Sequence, residues 1–480
     1  MIVNIRKFLS DNVAIKKINT FYESILYPAL ISLIILGSYI LKTEVLGVCS
    51  SIFIACIGII TSKDLKPIIP LLLGFIMFIP RRDGFKSGST QYIEYILKHI
   101  PYIIVLSCFL IFSFVFHFVV WGQIKNIFTK PTKLLLYSLP FAILICLNGI
   151  FYKDYNINNL IFALITVFCL VGLYIIFVNN LTYEQKTIDF FFKCCACLAV
   201  VFIGEFIFVC CTQPIIIDGK IHKGAINLGW ANTNGYGNYG CYLIPAIFYL
   251  AYKGKKAYQT IIYYILGVLT YLFAVFSLSR NAILTSSLIT AFILVFMCFK
   301  GKNKNLCFKL LIGTFAFFIL SNISYLILVY GFKIEIRLFE DVVKMGINDN
   351  GRFKLWKDAF NAFLQNPIFG QGFYGCEFES WTGFIPGMYH NTVFQLLGTC
   401  GILTFIAYLV YRYKTIKVIF YKINDEKIFL GLMIFVLIFS SLLDNLIFYF
   451  YPTFFYAIAL SLCDLHYNKE KQLEKDNLLK

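Results

Sequence analysis

Charged residues are scarce in this sequence. Asp, Glu, Lys and Arg make up 14% of the 480 residues, whereas soluble globular proteins contain about 25%. Acidic residues are the scarcer kind, with 25 against 42 basic residues and a net charge of +17, while apolar residues reach 59%. No soluble fold of this size buries so much apolar surface, which excludes a globular cytosolic enzyme. The sequence therefore predicts an all-α polytopic membrane protein.

Residue patterns that bind metals or mark secretion are also lacking. Most of the 16 cysteines lie within apolar runs, where Cys behaves as a small hydrophobic residue. Cys194 and Cys197 form a C-x-x-C pattern, but no His or second Cys pair lies near them. The polar, basic start of the chain does not fit a cleavable signal peptide. We expect no metal and no cofactor.

Long apolar runs dominate what remains. A helix needs about 20 apolar residues to cross the hydrocarbon core of a bilayer. The candidate spans lie near 25–41, 45–60, 67–80, 100–121, 133–151, 157–178, 190–211, 234–252, 258–278, 281–299, 306–330, 390–411, 428–447 and 449–465. Two of the runs are short and the last two nearly touch, so the sequence predicts 12–14 transmembrane helices.

The basic residues indicate the orientation, because cytoplasmic loops carry an excess of Lys and Arg. With the N-terminus inside, 27 of the 42 basic residues, Arg412 among them, are cytoplasmic. The segment with Arg81, Arg82 and Lys86 breaks the rule. The positive charge is therefore an orientation signal, and nucleic-acid binding is not expected. We divide the chain into a membrane bundle (1–330), an extracytoplasmic loop (331–389) and C-terminal membrane helices with a short cytoplasmic tail (390–480).

The extracytoplasmic loop is too long for a simple connection, since loops above about 12–15 residues are usually functional or disordered. Within it, Asn350–Leu364 has an apolar stripe at helical spacing. The stripe consists of Phe353, Trp356, Phe360, Phe363 and Leu364. We expect an interfacial amphipathic helix, capped by Asp349 or Asn350 and ended by Asn366-Pro367. Arg352 in its first turn either snorkels to the interface or binds an anion.

Other polar groups are expected at the same outer side. Ser279-Arg280-Asn281 separates two apolar runs, and an arginine so close to the membrane usually faces a cavity or a partner. His390-Asn391 opens a later span, where His390 either caps the helix or transfers a proton near neutral pH. Asn232 and Asn234 open another span, where they either cap it or bind sugar hydroxyls. His222 is the other outer histidine.

These residue types together suit one kind of chemistry. Arginine forks bind phosphate oxygens in pairs, aromatic and amide side chains suit sugars, and a histidine can take a proton from an attacking hydroxyl. The set fits transfer of a glycan from a lipid diphosphate.

At these residues the sequence resembles the O-antigen ligase/polymerase superfamily, which includes the Wzy-type polysaccharide polymerases and the O-antigen ligases. The resemblance covers roughly 228–410. It rests on Ser279-Arg280-Asn281-Ala282, on Gly351-Arg352 with Trp356 and Asn366-Pro367-Ile368-Phe369-Gly370-Gln371-Gly372, on His390-Asn391 with Gly398 and Gly401-Ile402, and on Gly229-Trp230 with Asn232-Thr233-Asn234. Pro is commoner in the family at the position of Thr233.

The resemblance implies a GT-C-like, inverting, metal-independent glycosyltransferase that acts at the outer face of the cytoplasmic membrane. Its donor would be an undecaprenyl-diphosphate-linked glycan, and a chain-length regulator is a conceivable partner. His390 takes the catalytic position, Arg280 and Arg352 the diphosphate positions, and Asn391, Trp356, Asn232 and Asn234 are further candidates for substrate binding.

Three functions stay open from the sequence. A polymerase would add the glycan to another lipid-linked repeat unit, in O-antigen, capsule or exopolysaccharide synthesis, and this is the favoured reading. A ligase would add it to lipid A–core in lipopolysaccharide. A flippase would place charges midway along its spans, where Glu205 and Asp444 are the main charged residues found. Mannosyl- and oligosaccharyl-type transferases generally need an acidic pair in the first outer loop, which is only Lys42-Thr43-Glu44.

The orientation can be tested with topology reporters. Fusions after Lys256, Lys304 and Lys422 are expected to report a cytoplasmic position, and a fusion within 365–380 an external one, because of the Lys/Arg distribution. An external signal at Lys304 would invert the topology and remove the proposed site from the donor's side of the membrane.

Overall fold

The computed structural model describes residues 2–79, 98–121, 132–214, 216–217, 220–221, 226–326, 351–375 and 387–478. Of the predicted extracytoplasmic loop, it describes 351–375 and 387–389. Several residues singled out from the sequence lie outside the described residues: Arg81, Arg82, Lys86, His222, Asp349 and Asn350.

The first half of the chain folds into ten helices and a short hairpin within the described ranges. They are α1 (Ile2–Asp11), α2 (Val13–Glu23), α3 (Leu26–Leu41), α4 (Glu44–Thr61), α5 (Ile69–Gly74), α6 (Ile100–Trp121), α7 (Lys133–Cys146), α8 (Asn158–Val167), α9 (Leu173–Asn180), α10 (Gln185–Thr212), β1 (Ile216–Ile217) and β2 (Lys220–Ile221). Three-residue-per-turn helices flank α5, and a wide π-helical turn, Phe168–Gly172, joins α8 to α9. The two strands pair antiparallel.

The second half contributes nine more helices in the part that the structure describes. They are α11 (Thr233–Tyr252), α12 (Ala257–Phe276), α13 (Arg280–Lys300), α14 (Lys304–Leu326), α15 (Arg352–Gln365), α16 (Thr392–Gln395), α17 (Gly401–Phe420), α18 (Asp425–Ser440) and α19 (Phe450–Leu478). A second π-helical turn, Leu396–Cys400, joins α16 to α17, and a short 3₁₀ turn, Leu446–Phe448, follows α18.

The helical character of the apolar runs is confirmed in the described ranges, because each run falls on one helix or on helical segments that follow one another directly. Eight helical segments in the described ranges are long and apolar enough to cross a membrane, or nine if α2 and α3, bent by 64°, form one span. Two further apolar helices are shorter, at Lys66–Phe78 and Lys133–Cys146. The chain is an all-α, multi-pass membrane protein.

Helix α11 lies at the centre of the bundle. Its side chains from Tyr236 to Tyr252 are buried on every side, as expected for a helix with no solvent or lipid face. It packs against α10, α12, α13 and α18. The approach to α13 depends on Gly237, where an added Cβ would lie 2.8 Å from the Ala282 side chain. Small residues allow such close helix packing in membranes.

One basic residue corrects the topology argument. Arg412, counted above as a cytoplasmic loop residue, lies within α17 and is only 6% exposed. Its guanidinium lies over the rings of Tyr408 and Tyr456, 4.8 and 4.9 Å from their centroids, and donates to the Tyr456 hydroxyl at 2.7 Å. Arg412 is therefore a packed residue of the bundle and carries no orientation signal. Its position in the apolar sequence did not reveal the tyrosines that surround it.

The segment Asn366–Gly375, which follows α15, is inserted into the bundle as a wedge. The π-helical turn at Leu396–Cys400 widens the helix and leaves carbonyl groups without an intrahelical partner. The Gly398 and Thr399 carbonyls accept the N–H groups of Gln371 and Gly372 at 3.0 and 2.8 Å. On the opposite side, the Asn159 side-chain oxygen accepts the N–H of Tyr374 at 2.7 Å. The stretch Gly370-Gln371-Gly372 is thus buried and hydrogen-bonded to the rest of the bundle.

A glycine substitution tests this wedge. Gly372 has φ +83°, and a Cβ there would lie 2.7 Å from Cγ of Asn159. Gly372→Ala should cost about 1–2 kcal/mol from the left-handed backbone and about 1–3 kcal/mol more from overpacking. The thermal midpoint of the detergent-solubilised protein is expected to fall. In Gly313→Ala the added methyl meets open space within α14, so its midpoint should stay close to the parent. Equal midpoints for both variants would show that the wedge is loose.

Candidate active site

His390 stands at the start of a membrane helix in an unusual backbone conformation. Its φ is +51°, in the left-handed region that a residue with a side chain rarely adopts. Gln395 stabilises this turn, because its side-chain oxygen accepts the Tyr389 N–H at 2.7 Å. Asn391 caps α16 by accepting the N–H groups of Val393 and Phe394. The strained turn therefore presents the imidazole just outside the helix end.

The imidazole contacts a buried carboxylate. Nδ1 of His390 lies 3.0 Å from Oδ1 of Asp444. The Asp444 side chain is 7% exposed, whereas that of His390 is 41% exposed. When the carboxylate is ionised it only accepts hydrogen bonds, so a neutral His390 would donate its Nδ1–H to Asp444 and keep the Nε2 lone pair. That tautomer and orientation are the ones that a general base requires.

Asp444 owes its position to the break that ends α18. The Ser440 carbonyl accepts the Asp444 N–H at 2.9 Å and the Asn281 amide at 3.2 Å. Thr392 donates its N–H to the Ser441 carbonyl, and the Asn391 amide donates to the Leu442 carbonyl, at 2.9 and 2.8 Å. The break is thus bonded both to the start of α13 and to the His390 turn.

Arg280 is the first residue of α13, adjacent to Asn281, and it is exposed. Ser279 caps the helix, and the first turn carries no acidic residue. A cation at this position adds to the partial positive charge of a helix N-terminus. Helix N-termini of this kind are common binding places for anions.

Arg352 repeats this arrangement at a second helix. It is the first residue of α15, whose N-cap is Gly351 with φ +77° and whose first turn also carries no acidic residue. The helix ends at Gln365 with Asn366 as its C-cap, as predicted, but it begins two residues later than the predicted Asn350. The prediction that Asp349 or Asn350 caps this helix is wrong, because the N-cap is Gly351. A glycine backbone can adopt the left-handed conformation found there.

The outward aromatic stripe of α15 is only partly found. Phe353, Phe360 and Leu364 are exposed, but Trp356 turns inward and stacks on Phe394, with ring centroids 5.3 Å apart and planes at 11°. Trp356 lies one turn after Arg352 and Phe394 one turn after His390. The stacking therefore brings the starts of the two helices to the same region, which sequence spacing alone did not show.

The predicted amide residues have different surroundings. Asn232 caps α11 by accepting the Gly235 N–H at 2.9 Å, which is the capping alternative left open above. Asn391 uses both its oxygen and its nitrogen within the chain. Asn234 is partly exposed in the first turn of α11. Binding of substrate by these three residues stays a prediction.

Two residues of the site were missed in the sequence. In the sequence, Asp444 was noted only as one of the few charged residues within the apolar runs. Because charges are scarce there, its presence was the available signal of a candidate functional residue. Gln395, buried within the His390 turn, gave no signal. Its side-chain oxygen also accepts the Asn445 amide at 2.8 Å and so joins the turn to the break. Glu205, the other charge noted in the spans, accepts the Trp230 indole N–H at 2.7 Å.

Comparison with known families addresses the same segment. Residues 265–409 match the family model described as O-antigen ligase. The resemblance to the O-antigen ligase/polymerase superfamily is confirmed. The matched segment contains Arg280, Arg352 and His390 and corresponds to a family of membrane glycosyltransferase-like enzymes, whereas Asp444 lies beyond it. A comparison with curated proteins gave no match.

We call the pair of His390 and Asp444 the dyad. A catalytic role for the dyad predicts matched losses of activity. His390→Ala should lower the turnover rate by about 10²–10⁴-fold, which is the usual contribution of a positioned general base. Asp444→Asn should lower kcat by a similar factor with little change in KM, because an amide no longer fixes the Nδ1–H tautomer. The measurements are steady-state rates and thermal midpoints of the purified variants.

Asp425→Asn serves as the matched control, since Asp425 lies at the other end of α18 and accepts the Tyr252 hydroxyl. Its rate should equal that of the parent. Wild-type product from His390→Ala would disprove the catalytic assignment and make His222 the next residue to test. An unchanged kcat in Asp444→Asn would reduce the carboxylate to a structural contact.

Proposed function

We propose that this protein is a polysaccharide polymerase of the outer face of the cytoplasmic membrane. It transfers a glycan from undecaprenyl diphosphate to a lipid-linked repeat-unit acceptor, with inversion at the anomeric carbon and without a metal. The observation that carries the proposal is the 3.0 Å contact between His390 Nδ1 and Asp444 Oδ1, beside two helices that each begin with arginine.

In the proposed reaction, Nε2 of His390 removes the proton of the acceptor hydroxyl. The hydroxyl oxygen attacks the anomeric carbon of the donor sugar while the bond from that carbon to the diphosphate oxygen breaks. The electron pair of that bond leaves with the diphosphate, and the proton stays on His390 as an imidazolium paired with Asp444. Attack opposite the leaving group inverts the anomeric configuration.

Arg280 and Arg352 hold the leaving diphosphate in this proposal. Negative charge grows on its bridging oxygen as the bond breaks, and preorganised cations stabilise it without reorganisation of water. The guanidinium fork can bind two oxygens at once, whereas an ammonium binds as a point charge. The position of each arginine as the first residue of a helix, where the backbone carries partial positive charge, supports this role.

A ligase is the second candidate, because the matching family model is described as O-antigen ligase. The two reactions share the donor, the base and the leaving group, and they differ in the acceptor. Donor units supplied alone test the polymerase, and donor units supplied with lipid A–core test the ligase. Long chains on the lipid carrier support the polymerase, chains on lipid A–core only support the ligase, and no product in either assay contradicts both.

Lysine substitutions test the arginines, because they keep the charge and lose the fork. Arg280→Lys and Arg352→Lys should each lower the polymerisation rate by about 10²–10³-fold with normal expression and membrane insertion. Arg6→Lys is the matched control, since Arg6 lies in the amphipathic α1 and donates to the Val120 carbonyl. Chain formation is measured by electrophoresis of lipid-linked products. Full activity in both site variants would mean that the arginines only anchor the interface.

A further inference from the structure

Helices α12, α13 and α14 enclose a groove in the membrane-embedded part of the bundle. Its volume is about 450 Å³, and its lining includes Tyr271 of α12, Ala291 and Leu294 of α13, and Phe315 of α14. Two of its apolar lining residues, Val295 and Phe315, are 54% and 62% exposed on the outside of the bundle. The groove therefore opens toward the surface that faces lipid.

The groove shares a helix face with Arg280. Ser287 and Leu294 line it, and they follow Arg280 by 7 and 14 residues on α13. Residues seven apart lie on the same side of an α-helix. At 1.5 Å per residue, they lie about 10 and 21 Å along the axis from Arg280. A hydrocarbon core about 30 Å thick would contain both.

Three of the four polar side chains that line this groove are hydrogen-bonded, whereas Oγ1 of the fourth, Thr290, is buried with no partner in the part of the chain that the structure describes. The Tyr271 hydroxyl lies 3.2 Å from Oγ of Ser287, and Oγ1 of Thr314 lies 3.0 Å from the Tyr264 hydroxyl. Oγ1 of Thr314 also donates to the Leu310 carbonyl. The groove consequently presents mainly carbon to an occupant, whereas its outer end carries the cationic start of α13.

We propose that this groove holds the polyprenyl chain of the donor and that Arg280 binds the attached diphosphate. The inference rests on the proposed function, since it names the place of the donor's chain. A lipid with one anionic head group and one long apolar chain matches an apolar groove that runs along α13 below Arg280. Helix α13 thus links the depth of the chain to the position of the reacting bond.

We expect the polyprenyl chain to align the donor in the site more than to strengthen its binding. Lipid tails are as apolar as the groove, so moving a chain from bilayer to protein involves little hydrophobic gain. Selection of the donor over phospholipids must come from the head group at Arg280. A chain displaced from the groove would shift the reacting carbon, and misplacement by about 1 Å can cost about 10²-fold in rate.

Two tryptophan substitutions on α13 test the groove. Ala291→Trp fills it, whereas Leu288→Trp places the same side chain on a position that is 48% exposed and does not line it. A photoreactive polyprenyl diphosphate is the probe, with the reactive group midway along its chain. It should label 287–295 and 311–318 in the parent and in Leu288→Trp, and at least about tenfold less in Ala291→Trp.

Competition and turnover complete the experiment. Unlabelled polyprenyl diphosphate should abolish the labelling, and phosphatidylglycerol should not. Equal competition by phosphatidylglycerol, or equal labelling of both variants, would overturn the inference, since the groove would then be a general lipid surface. Labelling that follows the expected pattern in a protein that forms no polymer would keep the groove and refute the proposed function, because the labelling needs no turnover.

Discussion

The break at the end of α18 is the constraint on which the site depends. Where the helix stops at Ser440, its last carbonyls need partners, and water is scarce within a membrane bundle. Asn281, Asn391 and Thr392 supply them from two other helix starts. The same bonds that satisfy the broken helix therefore bring Asp444 against His390. One set of hydrogen bonds thus satisfies the backbone carbonyls at the break and also places the two residues of the dyad in contact.

A second irregularity positions the other half of the site. The π-helical turn at Leu396–Cys400 frees carbonyls that bind the wedge after α15. The wedge holds the end of α15, and the stacking of Trp356 on Phe394 holds its beginning. Arg352 thus begins a short helix fastened at both ends. Irregular backbone is tolerated at membrane depth where it is buried in protein, and here it is bonded on both sides.

Buried charges in this bundle have distinct surroundings. Glu205 accepts a hydrogen bond from the Trp230 indole, and Arg412 lies among tyrosine rings. Both are enclosed within the bundle, whereas the partner of Asp444 is partly exposed. A buried carboxylate that orients an accessible imidazole can act on a substrate, while an enclosed charge mainly specifies packing. The proposed role of Asp444 therefore rests on the exposure of its partner rather than on the burial of its charge.

Local composition was enough to predict the helical membrane class and the positions of the helices, because span length and hydrophobicity depend on neighbouring residues. The sequence also predicted where α15 ends, while its choice of Arg280, Arg352 and His390 as site residues stays a prediction. The partner of His390, the inward turn of Trp356 and the enclosure of Arg412 became visible only in the packed bundle. Asp444 lies 54 residues from His390, and no local pattern encodes a contact between two helix ends. Such contacts depend on how whole helices pack, so they appear only when the bundle is assembled.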